Sequence, residues 1–364
     1  MNYFITGATG FVGSNIVREL LRSNPCNQIK IIVRPSKGLS GYIKAKKIFQ
    51  SIFTPNEYAE YKNQIEVYEG DIAEKNFSLS NDIYNYLTKV TNVIFHSAAT
   101  IKFNLSLEEA NRINVDGTNE VMQFAEKCFK NKVLGKVNHI STAYVIGRQK
   151  NMDVNLNNDN FSNTYEMTKH EGEKVVNEYI GKGLPVTIFR PSIIAGNSLT
   201  GEITTNNLIY IFALMLTMGN LNEIPCDKDT SLNIISINYF INLMFKISKL
   251  TKSLGRTFNI TNSKNTNIQQ LFRFACKELD IDIPKFIPIN NCGKINPRIM
   301  NRMKVFIPYF EESHFFDLSE TYDILNTDSL PDDNINVCIR KIFDYCLKNK
   351  MLRIRKRELI KNTH

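Results

Sequence analysis

A tyrosine and a lysine four residues apart, Tyr165 and Lys169, lie in the stretch NTYEMTKHEG after an Asn-rich loop. On a helix, residues at i and i+4 share one face, so both side chains could serve one site. A free tyrosine is a weak acid at neutral pH, with a pKa near ~10, and we expect the Lys169 ammonium to lower that pKa. The same spacing occurs on ordinary surface helices, so the pair alone does not identify a catalytic site.

A third polar group, Thr142, follows Ser141 at the end of the strand-like run VNHIST. Open α/β sheets bind ligands at the carboxyl ends of their strands. Hydride addition to a carbonyl develops negative charge on oxygen, and one well-placed hydrogen-bond donor can contribute about 10²–10³ in rate. We therefore predict Thr142, Tyr165 and Lys169 as the catalytic set, with Lys169 also holding the nicotinamide ribose.

Three glycines, Gly7, Gly10 and Gly13, form G-x-x-G-x-x-G between the strand-like run NYFIT and an amphipathic helix. The first allows a tight turn, the second a close approach to a pyrophosphate, and the third close packing of helix on strand. The free N–H groups of the helix start would point at the phosphates. This context indicates a dinucleotide site. The predicted contacts of the loop are Gly7, Thr9, Gly10, Phe11, Val12 and Gly13.

The second strand-like run ends in IIVRPSK, where an NAD site usually has an acidic residue for the ribose hydroxyls. Arg34, with Lys37 nearby, has the opposite charge and suits the 2′-phosphate of NADP, so we predict NADPH (NADP+) as the cofactor. An ordinary surface arginine is the alternative. Asp71 and Ile72, after the third strand, are predicted to meet the adenine. Asp71 could equally be a strand-end turn residue.

Short apolar strands alternate with helical stretches through the first half of the chain. This pattern predicts an α/β fold, a Rossmann-like doubly wound parallel sheet with a smaller, interleaved C-terminal substrate lobe. We expect an NADP-binding domain over residues 1–196, with 230–262 contributing to the sheet end. A mainly α substrate lobe is expected over 197–364. The predicted strands of the sheet are NYFIT, IKIIV, IEVYEG, TNVIFHSAA, VNHIST and PVTIFR.

The composition is that of a globular protein, with 43% hydrophobic and 22% charged residues among 364. No apolar run reaches the length of a membrane span, and the strand pattern starting at Asn2 argues against a signal peptide. The seven cysteines have no C-x-x-C pair, which predicts free thiols in a reducing cytoplasm and no metal site. Among the histidines, His139 is expected in the core and His170 in solvent.

The net charge is +9, and the clearest basic cluster is KNKMLRIRKRELIKN near the C-terminus. The other basic residues are scattered without an aromatic stripe, so nucleic acid is not expected as a partner. A solvated helix end is the simplest interpretation of the cluster, and docking of an acidic partner is the alternative.

Several motifs together resemble a known family. TGATGFVG, STAY and YEMTK resemble the extended short-chain dehydrogenase/reductase superfamily. VIFHSAATIKFN, NVDGTNEVM, PVTIFRPSIIAGNSLTGE and FIPYFEESHFFDLSETYDIL are similar to thioester reductases, the reductase domains that release acyl chains from carrier proteins, and to fatty acyl-CoA reductases. The resemblance spans nearly the whole chain. It implies NADPH-dependent reduction of an acyl thioester, with Thr142, Tyr165 and Lys169 as catalytic residues.

The resemblance also implies further site residues. Those on the cofactor are Ala98, Ala99 and Thr100 toward the adenosine, and Pro191, Ser192 and Ile193 toward the nicotinamide. Those near the substrate are Lys102, Phe103 and Asn104. Asn114 takes the place of a structural or relay asparagine that also meets the cofactor site, and an ordinary helix-start residue is the alternative.

Members of this family are often C-terminal domains of assembly-line synthetases. This chain begins at its glycine loop, so we expect a freestanding cytoplasmic reductase whose acyl donor arrives on a phosphopantetheine arm, of an acidic carrier protein or of CoA. The product would be an aldehyde or, after a second hydride, an alcohol. Alternatives on the same scaffold are a nucleotide-sugar epimerase or dehydratase, a hydroxysteroid-type dehydrogenase, and a non-catalytic NADPH-binding regulator.

Overall fold

The computed structural model describes residues 1–36, 38–102, 105–148, 160–205, 207–218, 223–289 and 307–354. Three predicted site residues, Lys37, Phe103 and Asn104, lie outside the described residues. So does most of the basic cluster near the C-terminus.

Seven parallel strands form the central sheet. The strands of the chain are β1 (Asn2–Thr6), β2 (Gln28–Val33), β3 (Ile65–Glu69), β4 (Val93–His96), β5 (Lys136–Ile140), β6 (Val186–Pro191), β7 (Ile193–Ile194), β8 (Glu223–Pro225), β9 (Ser231–Leu232), β10 (Ile234–Ile235), β11 (Thr257–Ile260), β12 (Thr266–Asn267) and β13 (Lys285–Ile287). The sheet order is β11-β6-β5-β4-β1-β2-β3, and every pair in it is parallel. The strand order reverses between β1 and β4, which confirms the predicted doubly wound sheet.

Residues 230–262 reach the end of the sheet through one strand, Thr257–Ile260, which pairs with β6. The short strands β9 and β10 pair with β12 and β7 instead. Asn233, between them, donates to the Asn262 carbonyl at 2.8 Å and to the Asn265 side chain at 2.9 Å, which ties this segment to a neighbouring loop.

Helices connect the strands. They are α1 (Phe11–Ser23), α2 (Gly41–Ile52), α3 (Pro55–Tyr61), α4 (Asn81–Val90), α5 (Leu107–Asn111), α6 (Gly117–Lys130), α7 (Thr164–Gly181), α8 (Leu208–Thr217), α9 (Ile237–Ser248), α10 (Ile268–Glu278), α11 (Ile307–Glu311), α12 (Ser319–Leu325) and α13 (Ile335–Lys348). A π-helical turn, Arg112–Asp116, joins α5 to α6. Short polar caps start several helices. At α7 the Asn163 side chain accepts a hydrogen bond from the Glu166 N–H at 3.0 Å.

Apolar side chains cover both faces of the sheet. On one face, Phe4 of β1 packs against Phe124 of α6 with ring centroids 4.7 Å apart, and Phe77 lies 5.4 Å from Phe124. On another part of the sheet, Phe95 of β4 packs against Phe245 of α9 at 5.6 Å. Burial of apolar surface is the main favourable contribution to the free energy of folding, and these rings supply part of it. They fix the helices on the sheet whose strand ends carry the candidate site.

The chain forms two compact units. The first contains Met1–Pro191, Ile241–Ile260 and Phe316–Asp328, and therefore the whole seven-stranded sheet. The second contains the described parts of Ser192–Phe240, Thr261–Phe315 and Ser329–His364. The units divide after Pro191 rather than after residue 196, and a returning segment after Phe316 joins the first unit. The roles assigned to the two parts from sequence stay predictions.

The second unit has its own aromatic core. Phe212 of α8 lies 5.5 Å from Phe272 of α10 and 5.4 Å from Phe310 of α11 between ring centroids. The strongly apolar α8 has only 10 residues. None of the helices in the described ranges is both long enough and apolar enough to cross a membrane.

Candidate active site

The glycine loop packs too closely for side chains at two positions. Gly7 has a φ of 71°, and a Cβ there would lie 2.6 Å from the Ala98 nitrogen. A Cβ on Gly13 would lie 2.2 Å from the Gly7 carbonyl oxygen. Glycine is therefore required at both positions, the first for its conformation and the second for close packing of α1 on β1.

The same loop offers backbone donors. Gly10 begins α1 without a side-chain cap, and the first turn of the helix has no acidic residue. The N–H groups of a helix start have no partner within the helix, so they can bind an anion. Thr9, Phe11 and Val12 are half-buried beside them. This cradle lies after β1 and against Ala98, which follows β4, so it is at the point where the strand order reverses.

Charged side chains gather after β2 and β3. The Arg34 Nη1 lies 3.7 Å from the Asp71 Oδ2, and Arg112 of the π turn lies 3.3 Å from that same oxygen. Arg112 also bonds Glu74. Asp71 accepts a hydrogen bond from the Ala73 N–H at 3.1 Å, so it fills the turn role named as its alternative. Sequence reasoning missed Arg112.

The residues next to Asp71 and Arg34 differ in exposure. The Arg34 side chain is 56% exposed, so its guanidinium is accessible to an anion. The Ile72 side chain is buried in the apolar core, and a Cβ on Gly117 would lie 2.9 Å from its Cδ1. Ile72 can therefore meet a ligand through its backbone rather than its side chain.

Asn114 ties three elements together. Its Oδ1 accepts from the Thr100 N–H at 2.8 Å, and its Nδ2 donates to the Thr100 carbonyl at 3.3 Å and to the Thr168 hydroxyl at 2.9 Å. Asn114 is buried within the π turn, a kind of helix irregularity that is common at functional sites. A Cβ on Gly172 would lie 2.7 Å from the Asn114 carbonyl oxygen, so α7 packs tightly on this turn. These bonds favour the structural role for Asn114.

The loop after β4 is hydrogen-bonded to β1 at its start and becomes exposed to solvent further along. The Ala98 N–H donates to the Thr6 hydroxyl at 3.3 Å. Ala98, Ala99 and Thr100 are half-buried, whereas Lys102 is exposed. The side chain of Lys102 is therefore accessible to solvent.

The residues after β6 run from one unit into the other. Pro191 ends β6, and its carbonyl oxygen accepts a hydrogen bond from the Thr142 hydroxyl at 3.4 Å. Ser192 and Ile193 belong to the second unit, where the Ile193 N–H donates to the Asn233 carbonyl at 3.3 Å. The Ser192 hydroxyl is buried and has no hydrogen-bond partner among the described residues.

Thr142 and Tyr165 are brought together. Their side chains hydrogen-bond each other, and Thr142 also caps the turn Ala143–Ile146 by accepting from the Tyr144 N–H at 3.3 Å. Burial raises the pKa of Tyr165 to about 12; the bond from Thr142 opposes this, and the Glu166 carboxylate adds to it. The expectation that Lys169 would lower this pKa was wrong. The phenol is therefore fully protonated at neutral pH.

Lys169 lies one turn further along α7 and is 3% exposed. Its Nζ donates to the Ile140 carbonyl at the end of β5, at 2.8 Å. Burial lowers the pKa of Lys169 to about 8, and the Glu173 carboxylate opposes that shift. Glu173 itself is paired with Arg190 of β6, whose Nε donates to it at 2.8 Å. Helix α7 is thus fixed to β5 and β6 by buried polar bonds.

Three histidines also lie in the interior. His170 was expected in solvent, which was wrong, since it is buried and its Nδ1 lies 3.0 Å from the Val145 carbonyl oxygen. His139 is buried, as expected, and its ring centroid lies 5.1 Å from that of His96 on the neighbouring strand. His96 bonds the hydroxyls of Thr6 at 2.7 Å and Thr118 at 3.0 Å. Burial, with a smaller effect of Lys169, lowers the pKa of His96 to about 3, so the ring is neutral.

Comparison with known proteins identifies relatives of this chain. The family model described as "Male sterility protein" matches residues 5–244. A fatty acyl-CoA reductase (wat) of Drosophila melanogaster is 27% identical over 277 residues, 66% of this chain and 52% of that protein. A putative fatty acyl-CoA reductase of the same organism, CG8306, is 30% identical over 278 residues, 66% of this chain and 53% of that protein. The chain spans about half the length of these relatives.

A longer match is to a nonribosomal peptide synthetase of Aspergillus flavus, asaC. It is 25% identical over 356 residues, 89% of this chain and 33% of the synthetase.

Solved structures show the same fold. The terminal R domain of the myxalamid PKS-NRPS pathway superposes with a TM-score of 0.80 at 19% identity, covering 98% of this chain and 92% of that one. A thiolation-reductase di-domain of an archaeal nonribosomal peptide synthetase gives 0.75 at 22% identity, over 97% and 76%. A UDP-glucuronic acid 4-epimerase of Bacillus cereus gives 0.70 at 18% identity, over 96% and 100%.

Proposed function

The chain belongs to the Male sterility protein family of NAD-binding domains, and on that premise we propose that it is an NADPH-dependent reductase of acyl thioesters. One observation carries the proposal. The hydroxyls of Thr142 and Tyr165 bond each other one helical turn from Lys169, at the sheet edge that also carries the glycine loop. Its curated relatives named fatty acyl-CoA reductases support a thioester as substrate.

The glycine loop fits a dinucleotide cofactor, because its packing excludes side chains and its helix start offers unpaired N–H groups. Gly7, Gly10 and Gly13 would hold the pyrophosphate. Tyr165 and Lys169 would hold the nicotinamide ribose. When bound, NADPH supplies the hydride that the reaction consumes.

Arg34 supports NADPH over NADH. It follows the second strand, where NAD sites place an acidic residue, and its guanidinium is exposed. A guanidinium can bond two phosphate oxygens at once, so it would select the 2′-phosphate. Arg112 shares the Asp71 carboxylate with Arg34, which leaves more of the Arg34 charge available to a ligand.

Tyr165 acts as an acid in this proposal. Because its pKa is raised to about 12, the phenol holds its proton at neutral pH and can give it to an oxygen on which negative charge develops. The Thr142 hydroxyl is a second donor to that oxygen. The Lys169 ammonium would stabilise the phenolate left behind, and its own pKa of about 8 keeps it mostly charged at pH 7.

The substrate then changes in two steps. Hydride adds to the thioester carbon, and the oxygen takes the Tyr165 proton, which gives a hemithioacetal. Its collapse breaks the carbon–sulfur bond: the hydroxyl returns its proton to the Tyr165 phenolate, and the sulfur leaves as a thiolate that takes a proton from solvent. The products are an aldehyde and a free phosphopantetheine or CoA thiol. A second reduction would give the alcohol.

The acyl donor is proposed to be a phosphopantetheine thioester on an acidic carrier protein or on CoA. The net charge of +9 suits either donor, since both are anionic. Relatives of both kinds match this chain, the fatty acyl-CoA reductases and the nonribosomal peptide synthetase.

The test is oxidation of NADPH, and separately NADH, by the purified protein with acyl-CoA, acyl-carrier protein and simple aldehydes offered in parallel. We expect thioester-dependent oxidation with an aldehyde or alcohol as product. Oxidation with aldehydes alone would make the protein an ordinary carbonyl reductase and contradict the proposal. Tightly retained NAD with conversion of a nucleotide sugar would instead favour the epimerase alternative.

A further inference from the structure

The imidazole ring of His139 is buried. It is 0% exposed, and neither ring nitrogen has a partner among the described residues. Buried polar groups are nearly always bonded, and an unbonded one costs free energy, so each exception calls for an explanation. Its neighbour His96 shows the ordinary case, since the hydroxyls of Thr6 and Thr118 occupy both of its nitrogens. His139 therefore differs from His96 in having its bonding capacity unused.

Ser141 has the same unused capacity on the same side of the sheet. Its hydroxyl is buried and has no partner in the described part of the chain. The Ser141 N–H still bonds the Phe189 carbonyl of β6 at 2.7 Å, so the extended ladder continues to this residue. Side chains two apart on a strand point to one face of the sheet, so the His139 and Ser141 side chains share the face opposite that of Asn138.

Lys169 of α7 completes the group. Its Nζ bonds the carbonyl of Ile140, the residue between His139 and Ser141, at 2.8 Å. An ammonium has three N–H donors, and within the described residues this is its one hydrogen bond. Among the described residues, Arg190 of β6 also acts on the charge of His139, and Arg190 is itself bonded to Glu173 of α7. The neighbouring ring of β4, His96, is already satisfied.

We propose that His139, Ser141 and Lys169 enclose a site for one internal water molecule, and that this water makes His139 a positioning residue for the Lys169 ammonium. Buried waters usually make about three hydrogen bonds to polar groups that lack other partners, which is the number of side chains here. The water donates to the neutral imidazole and accepts from the ammonium. The inference rests on the proposed function only through the role of Lys169 in holding the ribose and the phenolate.

The arrangement explains why a costly histidine lies under the site. A neutral imidazole accepts a hydrogen bond without adding charge beside the ammonium, and burial together with Lys169 keeps the pKa of His139 well below its usual value. Hydrogen bonds to the charged form of a lysine favour that form. His139 would therefore hold Lys169 in place and keep it protonated to a higher pH.

The first experiment compares His139→Phe with the wild type. Phenylalanine fills the space and removes both unbonded nitrogens, so we expect Tm to stay the same or rise. We expect kcat/KM at pH 8 to fall about 10-fold, and its basic limb to move to lower pH, because the ammonium loses an anchor. His139→Gln, which restores an acceptor, should recover part of the loss, and Ser141→Ala should show a smaller shift in the same direction.

The matched control is Asn138→Ala, one residue away on the opposite face of β5. Asn138 accepts a hydrogen bond from the Ser248 hydroxyl at 2.8 Å, so this variant should have a lower Tm. The pH dependence of its kcat/KM should be that of the wild type. An unchanged profile for His139→Phe, with kcat/KM intact, would overturn the proposal. So would a crystal structure at high resolution that shows no water between the three side chains.

Two readouts separate this proposal from the proposed function. The pH dependence of NADPH binding, followed by the fluorescence of the cofactor, reports Lys169 without any thioester. If the wild type reduces no thioester but His139→Phe moves that binding profile, the function is wrong and the water site stands. If thioesters are reduced and neither profile moves, the water site is wrong and the function stands.

Discussion

Helices α1 and α7 both pack on the seven-stranded sheet and both reach the candidate site, yet they bury different residues. The apolar residues of α1, such as Ile16, Val17 and Leu21, are fully buried. By contrast, α7 buries Lys169 and Glu173, and fewer apolar residues. Buried charges cost far more than buried apolar groups unless they are paired. α1 therefore contributes mainly stability and backbone donors, whereas α7 gives up stability to position side chains.

The difference separates two ways of building a site. Around α1 the ligand would be held by backbone N–H groups, so the critical residues are those without side chains. Around α7 the proposed chemistry would depend on the Tyr165 phenol and the Lys169 ammonium, whose pKa values are shifted mainly by burial. Substitutions in α1 should accordingly weaken cofactor binding, whereas substitutions in α7 should lower turnover.

Tyr165→Phe should have the largest effect on activity. It removes the proton donor and leaves the ring that packs the site, so we expect kcat to fall by about 10³ or more. NADPH affinity should change little, and fluorescence titration measures it. Tyr179→Phe is the control. Tyr179 lies at the far end of α7, where its hydroxyl donates a hydrogen bond to the Asn119 Oδ1 at 3.4 Å. Comparable turnover of the Tyr165 and Tyr179 variants would contradict the catalytic role.

Glu173→Gln tests the buried charges of α7. The variant leaves the Arg190 guanidinium buried without its counter-charge, so we expect a loss of about 3–5 kcal/mol in the free energy of unfolding. Urea denaturation followed by circular dichroism measures it.

The control for Glu173→Gln lies on the same helix. Glu171 pairs with Lys174 at 2.8 Å, and both side chains are partly exposed. Glu171→Gln should cost less than about 1 kcal/mol, since exposed ion pairs contribute little. Equal losses in the two variants would mean that burial does not set the strength of the inner pair.

Gly13→Ala tests the α1 side. The new Cβ would lie 2.2 Å from the Gly7 carbonyl oxygen, so the helix must move away from β1. We expect NADPH affinity to weaken at least about 10-fold, with a stability loss of about 1–3 kcal/mol from overpacking. Gly181→Ala is the control, because nothing lies within 4 Å of its added Cβ. The Gly181 substitution should leave stability unchanged or raise it slightly. Unchanged NADPH affinity of the Gly13 variant would contradict the proposed phosphate-binding role of the loop.

The sequence predicted the parts of the fold that have a strong periodic signal. The six strand-like runs from NYFIT to PVTIFR coincide with β1 to β6, because continuous apolar strands between helices have one favourable packing. The π turn at Arg112–Asp116 was missed, since it follows from the bonds of Asn114 to Thr100 and Thr168, which lie far away in sequence.

The site was less predictable than the sheet, for a similar reason. Tyr165 and Lys169 are recognisable by their spacing, and Thr142 by its place at a strand end. The burial of His170 and the charge cluster at Arg112 depend on tertiary contacts with Val145, Asp71 and Glu74, for which the local sequence has no signal. The predicted direction of the Tyr165 pKa shift was wrong because burial raises this pKa and the Glu166 carboxylate adds to the rise, and burial cannot be read from a four-residue spacing.

Arg34→Ala should affect cofactor choice rather than fold. Removing an exposed guanidinium from the proposed 2′-phosphate contact should weaken NADPH binding about 10-fold and leave NADH binding nearly unchanged. The ratio of kcat/KM values for the two cofactors measures the effect. Arg22→Ala, which removes an exposed arginine paired with Glu57, is the control and should leave the ratio unchanged. A parallel loss with both cofactors would place Arg34 outside the phosphate contact.

The pH dependence set by Lys169 should be the smallest effect, and it has opposite signs for activity and stability. The pKa of Lys169 is lowered to about 8 in the folded chain, so kcat/KM, which reports the free enzyme, should be halved near pH 8 and fall further above it. Between about pH 8 and 10.5 the unfolded chain holds this proton and the folded chain does not, so the contribution of Lys169 to stability rises with pH. Lys169→Met should remove both trends, and measuring kcat/KM and urea midpoints across pH 7–10 separates them. If activity and stability instead fell together above pH 8 in the wild type, unfolding would explain the loss of activity, and the lowered pKa of the buried Lys169 could not be its cause.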